Sequence, residues 1–316
     1  MEVQSKAQSL PPNIASQIEV LSTAAKVNGA HMRVQEILAL VSLDLTEREL
    51  ELAWSATPSL NSRLLLRAGI VLDPAEAGLQ DWAACDDLRR LRAQRHVREA
   101  SDFAHFAKLG AALAVGVTGS TAYMSAGECD DIDLFCVTKR DNLWVFLTKT
   151  LLLARVFRLL RKRHPKICLS YVADQSYAER QFSAVKDGLF ARDALNTLVI
   201  RGSGYYRNLL ISAVWMSSYF PKLFRSKVEV LRQSEVAIEE RKETWRVANL
   251  FIFAVVGTYL RMKSFAFNTR LARQGKTRAV FTADLSGDHC VFESNRYAEL
   301  RRIYEQIERS EVISSG

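Results

Sequence analysis

The apolar positions change period along the middle of the chain. Ala111 to Val117 (AALAVGV) is a short continuous apolar run, the pattern of a strand buried on both faces, and it stops at Thr118-Gly119-Ser120. From Asp131 to Val137 the pattern alternates, placing Ile132, Leu134 and Cys136 on one strand face and Asp131, Asp133 and Phe135 on the other. Lys166 to Tyr171 (KICLSY) reads as a further strand. The flanking sequence reads as helix. Residues 1–95 form a helical N-terminal region, with a capping box at Thr46 and Glu49. A long helix of mixed charge, from about Asp86 to Lys108, leads into the first strand. Residues 96–202 make a central domain, and Gly202-Ser203-Gly204 marks its end. Residues 203–316 read as a helical C-terminal domain through 205–220, 228–260 and 297–308, broken by a loop at Thr282 to Cys290.

Two stretches are apolar enough to raise the question of a membrane. Ala248 to Leu260 (ANLFIFAVVGTYL) is shorter than the roughly 20 residues that a span needs, and Arg246 and Arg261 bracket it. Leu147 to Leu160 is interrupted by Lys149, Arg155 and Arg158. Both are expected to be buried core helices, with no membrane span.

Composition then narrows the class. The chain has 316 residues, 48% of them hydrophobic and 25% charged, enough for a sizeable core and more than one domain. Its 5 cysteines (Cys85, Cys129, Cys136, Cys168, Cys290) are odd in number and form no CxxC pair. That argues for reduced thiols and a cytoplasmic protein, and excludes a disulfide framework. Cys136 and Cys168 read as small core residues. Met1-Glu2-Val3-Gln4-Ser5 has no basic region leading into an apolar core, so no secretory signal is expected.

A net charge of +8 suits an anionic partner. The densest run is Arg155, Arg158, Arg161, Lys162, Arg163, His164 and Lys166, with Arg155, Arg158 and Lys162 on one helical face. It reads equally as a funnel for triphosphate or nucleic acid and as a solvated face whose cations favour a helix C-terminus. Interleaved aromatics of the kind that stack single-stranded bases are not evident. His289 and Cys290 stand side by side without further ligands, which reads as incidental rather than as a metal site.

The chemistry concentrates between Gly119 and Asp133. Gly119 lacks a Cβ, so an anion can approach its backbone, and Ser120 is placed to cap a following helix. A strand–Gly-Ser–helix junction directs free N–H groups at a phosphate. Asp131 and Asp133, about 6.5 Å apart at Cα on one strand face, can converge on divalent cations. All-oxygen ligands favour Mg²⁺ or Mn²⁺. Asp130 reads as a turn residue.

Gly119-Ser120, a ten-residue spacer and Asp131-Ile132-Asp133-Leu134 resemble the signature of the nucleotidyltransferase superfamily typified by DNA polymerase beta. The wider context resembles a prokaryotic branch of nucleotidyltransferase-domain proteins, over about residues 95 to 220. The resemblance implies an α+β fold, a nucleotidyltransferase-type mixed sheet flanked by helices. It implies Asp131 and Asp133 as catalytic metal ligands, and Gly119 and Ser120 as triphosphate contacts. The N-terminal region is sometimes winged-helix-like in that branch. Many superfamily members carry a third acid on a neighbouring strand, but Ile167 to Val172 contains none and Asp174 lies just beyond it.

Two functions follow as expectations. One is transfer of a nucleoside monophosphate from an NTP to a hydroxyl of a small molecule, protein or RNA, with Mg²⁺ or Mn²⁺ and release of pyrophosphate. The alternative is a catalytically degenerate nucleotide- or RNA-binding protein on the same fold.

Overall fold

A computed structural model describes residues 9–75, 82–109, 112–161, 165–233 and 245–314. Its centre is a six-stranded mixed sheet in the order β7-β4-β5-β6-β9-β8, where β1 to β3 are the short strands Met32–Arg33, Leu65–Arg67 and Ile70–Leu72 of the N-terminal region. The six are β4 (Ala112–Thr118), β5 (Ile132–Thr138), β6 (Ile167–Asp174), β7 (Leu198–Arg201), β8 (Phe281–Leu285) and β9 (His289–Ser294). Only β5 and β6 run parallel, joined by the helix Leu143–Leu160. A parallel step needs such a crossover.

The alternation in β5 divides the core as expected. Ile132, Leu134 and Cys136 join Val115, Val117, Leu169 and Val172 on one face, against Phe103, Trp144, Leu147 and Phe157. Phe135 and Val137 point the other way, toward Phe182, Leu195, Tyr206 and Leu209. The helices Trp82–Phe106, Leu143–Leu160 and Arg246–Arg273 therefore cover the first face. The helices Gln175–Ser183, Gly188–Asn196 and Ser203–Ser212 cover the second, together with the N-terminal region. The molecule is thus an α+β protein with mixed sheets flanked by helices.

The N-terminal region is helical with one addition. After the helix Pro12–Val27 come β1, the helices Val34–Leu40 and Glu47–Ser55, a short turn of helix and then the hairpin β2–β3. The hairpin turns at Ala68 and Gly69, with φ +48° and +73°, and β3 pairs on its other side with β1. The capping box is present: Thr46 Oγ1 accepts from Glu49 N at 3.2 Å, and Glu49 Oε2 accepts from Thr46 N at 2.8 Å.

Two expectations for the C-terminal region change. The loop expected at Thr282 to Cys290 is the hairpin β8–β9, which closes the far edge of the central sheet by pairing β9 with β6. Residues 203–316 are therefore not helical throughout, and their strands belong to the central sheet. Nor is Ala248 to Leu260 a buried core helix. It lies in a helix from Arg246 to Arg273 that is long and apolar enough to cross a membrane and buries only one side. Asn249, Gly257, Ser264 and Leu271 face inward, while Val247, Leu250, Phe251 and Val255 are exposed. The stretch is apolar all round, so composition could not say how much of it is covered.

Candidate active site between Gly119 and Asp133

β4 ends at Thr118, and Gly119 turns the chain at φ +64° into a single helical turn, Gly119–Ala122. Thr118, not Ser120, precedes that turn, and it makes no capping bond. The Ser120 hydroxyl instead donates to Asp130 Oδ2 at 2.6 Å. The expected cap is absent because Ser120 already lies inside the turn, where its own N–H follows the helical path. Asp130 acts as the turn residue expected: the same carboxylate accepts from Gly127 N at 2.8 Å and so closes the loop between β4 and β5.

That loop returns the chain antiparallel, so that Thr118 stands opposite Asp133. An ideal Cβ on Gly119 would lie 2.5 Å from Asp133 Oδ2. The turn glycine and the second aspartate thus share one small space, which any side chain at position 119 would fill. The register between β5 and β6 shifts just here, pairing Asp133 with Cys168 and then Phe135 with Tyr171. Bulges of this kind re-aim a side chain beside a site.

Four of the sequence-derived site residues are brought together: Gly119, Ser120, Asp131 and Asp133. The two carboxylates differ in environment. Asp131 lies half-exposed at the strand's start and accepts from Lys166 Nζ at 2.7 Å. Burial opposes the Lys166 charge, but the bond and charge of Asp131 outweigh it and hold that ammonium above its ordinary pKa. Asp133 lies deeper. Burial first, and the charge of Asp131 second, push its carboxyl up to about 6. The Cys168 thiol, itself pushed up to about 12 by burial and by Asp133, donates to that carboxyl.

Asp174 is not the third acid. It pairs with Thr138 at the opposite end of β5 from Asp133. Its carboxylate caps the next helix, accepting from Tyr177 N at 2.9 Å. The residue beside Asp133 on the neighbouring strand is Cys168. Among the described residues no three His, Cys, Asp or Glu side chains converge as a complete metal cage would require. A magnesium site does not need such a cage, since one or two carboxylates with substrate phosphates and water suffice. A half-buried carboxyl next to a second carboxylate, packed against a turn whose glycine has no side chain to displace it, fits a divalent cation.

The basic run ends at the same end of the sheet, because Ile132 N donates to Lys166 O at 2.8 Å. Arg161 pairs with Asp102 at 2.7 Å, Arg155 and Arg158 are exposed, and Lys162, Arg163 and His164 lie outside the described residues. His289 sits elsewhere, between Asp284 and Asp288 at 3.1 and 2.8 Å, and Cys290 is buried on the other face of β9.

Sequence reasoning missed the residues that brace the turn. Thr121, fully buried, meets His96 Nδ1 at 3.2 Å from the long helix Trp82–Phe106. Tyr123 donates to Asp193 and lies under Arg192 at 4.9 Å, while Arg192 donates to Tyr304. These partners lie 25 to 112 residues apart in sequence, so no local pattern announces them. Compared with protein-family models, with curated proteins and with solved structures, the chain matches none.

Proposed function

We propose that the junction between Gly119 and Asp133 binds a nucleoside triphosphate with Mg²⁺ or Mn²⁺. There the chain transfers the nucleoside monophosphate to an acceptor hydroxyl. In that reaction the acceptor hydroxyl gives up its proton to solvent, its oxygen bonds to the α-phosphorus, the bond to the β-phosphate oxygen breaks, and pyrophosphate leaves. One observation carries the reading: the Asp133 carboxylate, next to the charge of Asp131, reaches into the place that the missing side chain of the turn glycine Gly119 vacates. Asp131 and Asp133 would hold the cations, which supply activation of the attacking oxygen and stabilisation of the leaving phosphate. The turn at Gly119 and Ser120 would offer backbone N–H groups to the triphosphate. Lys166 holds Asp131 in place without nucleotide and is positioned to pass to a phosphate when a cation takes that carboxylate. The sheet and its flanking helices support a nucleotidyltransferase-type fold.

The second reading, a binding protein without turnover, rests on Cys168. Where an acid would assist deprotonation of the acceptor, a thiol with a pKa pushed up to about 12 cannot take a proton near neutrality. The N-terminal helix pair and hairpin support a winged-helix reading of that region. Its second helix carries Glu47, Glu49 and Glu51 against Arg48 alone, which does not suit a nucleic-acid backbone.

The test is a transfer assay with each α-labelled NTP, Mg²⁺ or Mn²⁺, and acceptor fractions of protein, RNA and small molecules. Label that appears with wild type and vanishes in Asp131→Asn and Asp133→Asn supports the enzyme. Nucleotide binding indifferent to Mg²⁺ and to both substitutions, without transfer, would overturn it in favour of the second reading.

A further inference from the structure

The helix Arg246–Arg273 carries an apolar stripe along its outer side from Val247 to Phe265. Val247 (82% exposed), Phe251 (70%), Val255 (56%), Tyr259 (51%), Met262 (68%) and Phe265 (76%) recur at helical spacing on that side. At 1.5 Å per residue the stripe runs about 30 Å. Soluble surfaces rarely leave a continuous apolar ridge of this size uncovered. The opposite side is fixed to the domain at three levels. Asn249 Oδ1 accepts from Trp144 N at 2.7 Å near one end. Arg261 donates to Leu285 O at 2.7 Å in the middle, and Asn268 Nδ2 donates to Phe281 O at 2.6 Å near the other end.

Charge identifies the occupant. Between Glu243 and Asp284 the sequence holds no acid, but it holds Arg246, Arg261, Lys263, Arg270, Arg273, Lys276 and Arg278. The acids of the adjoining hairpin are Asp284, Asp288 and Glu293, of which Asp288 pairs with Arg180 at 2.6 Å and Glu293 with Arg301 at 3.6 Å. A second copy would bring cations against cations. The neighbouring helix Leu143–Leu160 exposes the same mixture, Leu152, Val156 and Leu159 among Lys149, Arg155 and Arg158, on the same side of the sheet. An exposed apolar ridge on a helix that carries cations and no acid from Arg246 to Arg273 is the composition of a helix lying in the interface of an anionic lipid bilayer.

We propose that the helix Arg246–Arg273 docks this protein on an anionic membrane surface, lying in the plane of the bilayer with the stripe immersed. It lies along the membrane rather than across it, because a helix held to the crossover helix near one end and to the β8–β9 hairpin further along cannot leave the domain to span. The inference stands apart from the nucleotide reading, since none of these residues belongs to the Gly119–Asp133 site.

The experiment is co-sedimentation of the full chain with phosphatidylcholine vesicles, with or without phosphatidylglycerol. Emission from Trp245, at the head of the helix, is followed as a difference from Trp245→Phe. Expected are binding to the anionic vesicles, a blue shift of Trp245, and binding about tenfold weaker without the anionic lipid. The double variant Phe251→Ser/Phe265→Ser, whose sites are exposed, should keep its fold by circular dichroism and lose the binding. Lys263→Glu/Arg270→Glu should lose only the preference for anionic lipid. No binding by wild type, or equal binding by the Ser variant, would overturn the proposal. So would a dimer in light scattering that the Ser variant dissolves while vesicles remain unbound, which would make the stripe a contact between two copies.

Discussion

The Asp133 carboxyl sits deep in the fold beside the charge of Asp131. In the unfolded chain its carboxyl titrates near 4, whereas in the fold burial and the neighbouring Asp131 raise it to about 6. Its protonated form therefore stabilises the fold fully below about pH 4, and that contribution is lost as pH rises through 6. The loss approaches about 3 kcal/mol if no cation binds. Asp133→Asn removes the ionised form at the same site. Thermal unfolding without metal should show wild type losing stability between pH 4 and pH 6 and the Asn variant losing much less. Added Mg²⁺ should raise the wild-type midpoint above pH 6 and leave that of the variant unmoved. Equal pH profiles for the two proteins would mean that Asp133 is not the buried acid described here. The pair itself was legible from alternation alone, because a period of two assigns faces without any tertiary knowledge. What stood beside it was not. Lys166 and Cys168 come from another strand, and the Ser120 hydroxyl bonds a carboxylate ten residues on instead of capping a helix.

At the scale of elements, the three strands read from the sequence are present and the helices flank them as expected. The β8–β9 hairpin went unread because Thr282 to Cys290 mixes polar and apolar residues, and its packing against β6 and the helix Arg246–Arg273 is tertiary. Gly202 shows the same limit. Gly-Ser-Gly in sequence reads as a boundary, yet Gly202 sits at φ +71°, where an ideal Cβ would lie 1.8 Å from the Leu113 carbonyl oxygen. The end of β7 is thus pressed against the start of β4, and residues on both sides of Gly202 share one core with Phe135. Gly202→Ala should cost about 3 kcal/mol or more, since both the backbone angle and the contact forbid a methyl group. Arg201→Ala, one position back and exposed, should fall within about 1 kcal/mol of wild type. A pair of urea titrations separates the two. A small effect at Gly202 would show that the strands do not approach as described.

For the whole molecule, one side chain joins three distant parts of the chain. Buried Asn249 accepts from Trp144 N and donates to Gly287 O at 3.4 Å, linking the helix Arg246–Arg273, the crossover helix and the β8–β9 hairpin. Asn249→Ala leaves the Trp144 N–H buried without a partner, which costs about 2 kcal/mol. Amide exchange should then quicken along the helix Arg246–Arg273 and the hairpin before it changes in β4 or β5, if the hairpin and helix open as one unit. Uniform loss of protection would instead place Asn249 within a single cooperative core.

The order of strands in the sheet also sets a timetable for synthesis. β5 and β6 leave the ribosome early, but the strand that covers the outer edge of β6 arrives only with residues 289–294. The opening helix waits still longer for its partner, since Arg296 bonds Asn28 across 268 residues. At a translation rate of roughly 5–20 residues per second, the open edge of β6 is bared for several seconds in every nascent chain. Until residues 289–294 are made, that edge is free to pair with another polypeptide, and a product stalled before them would keep it so.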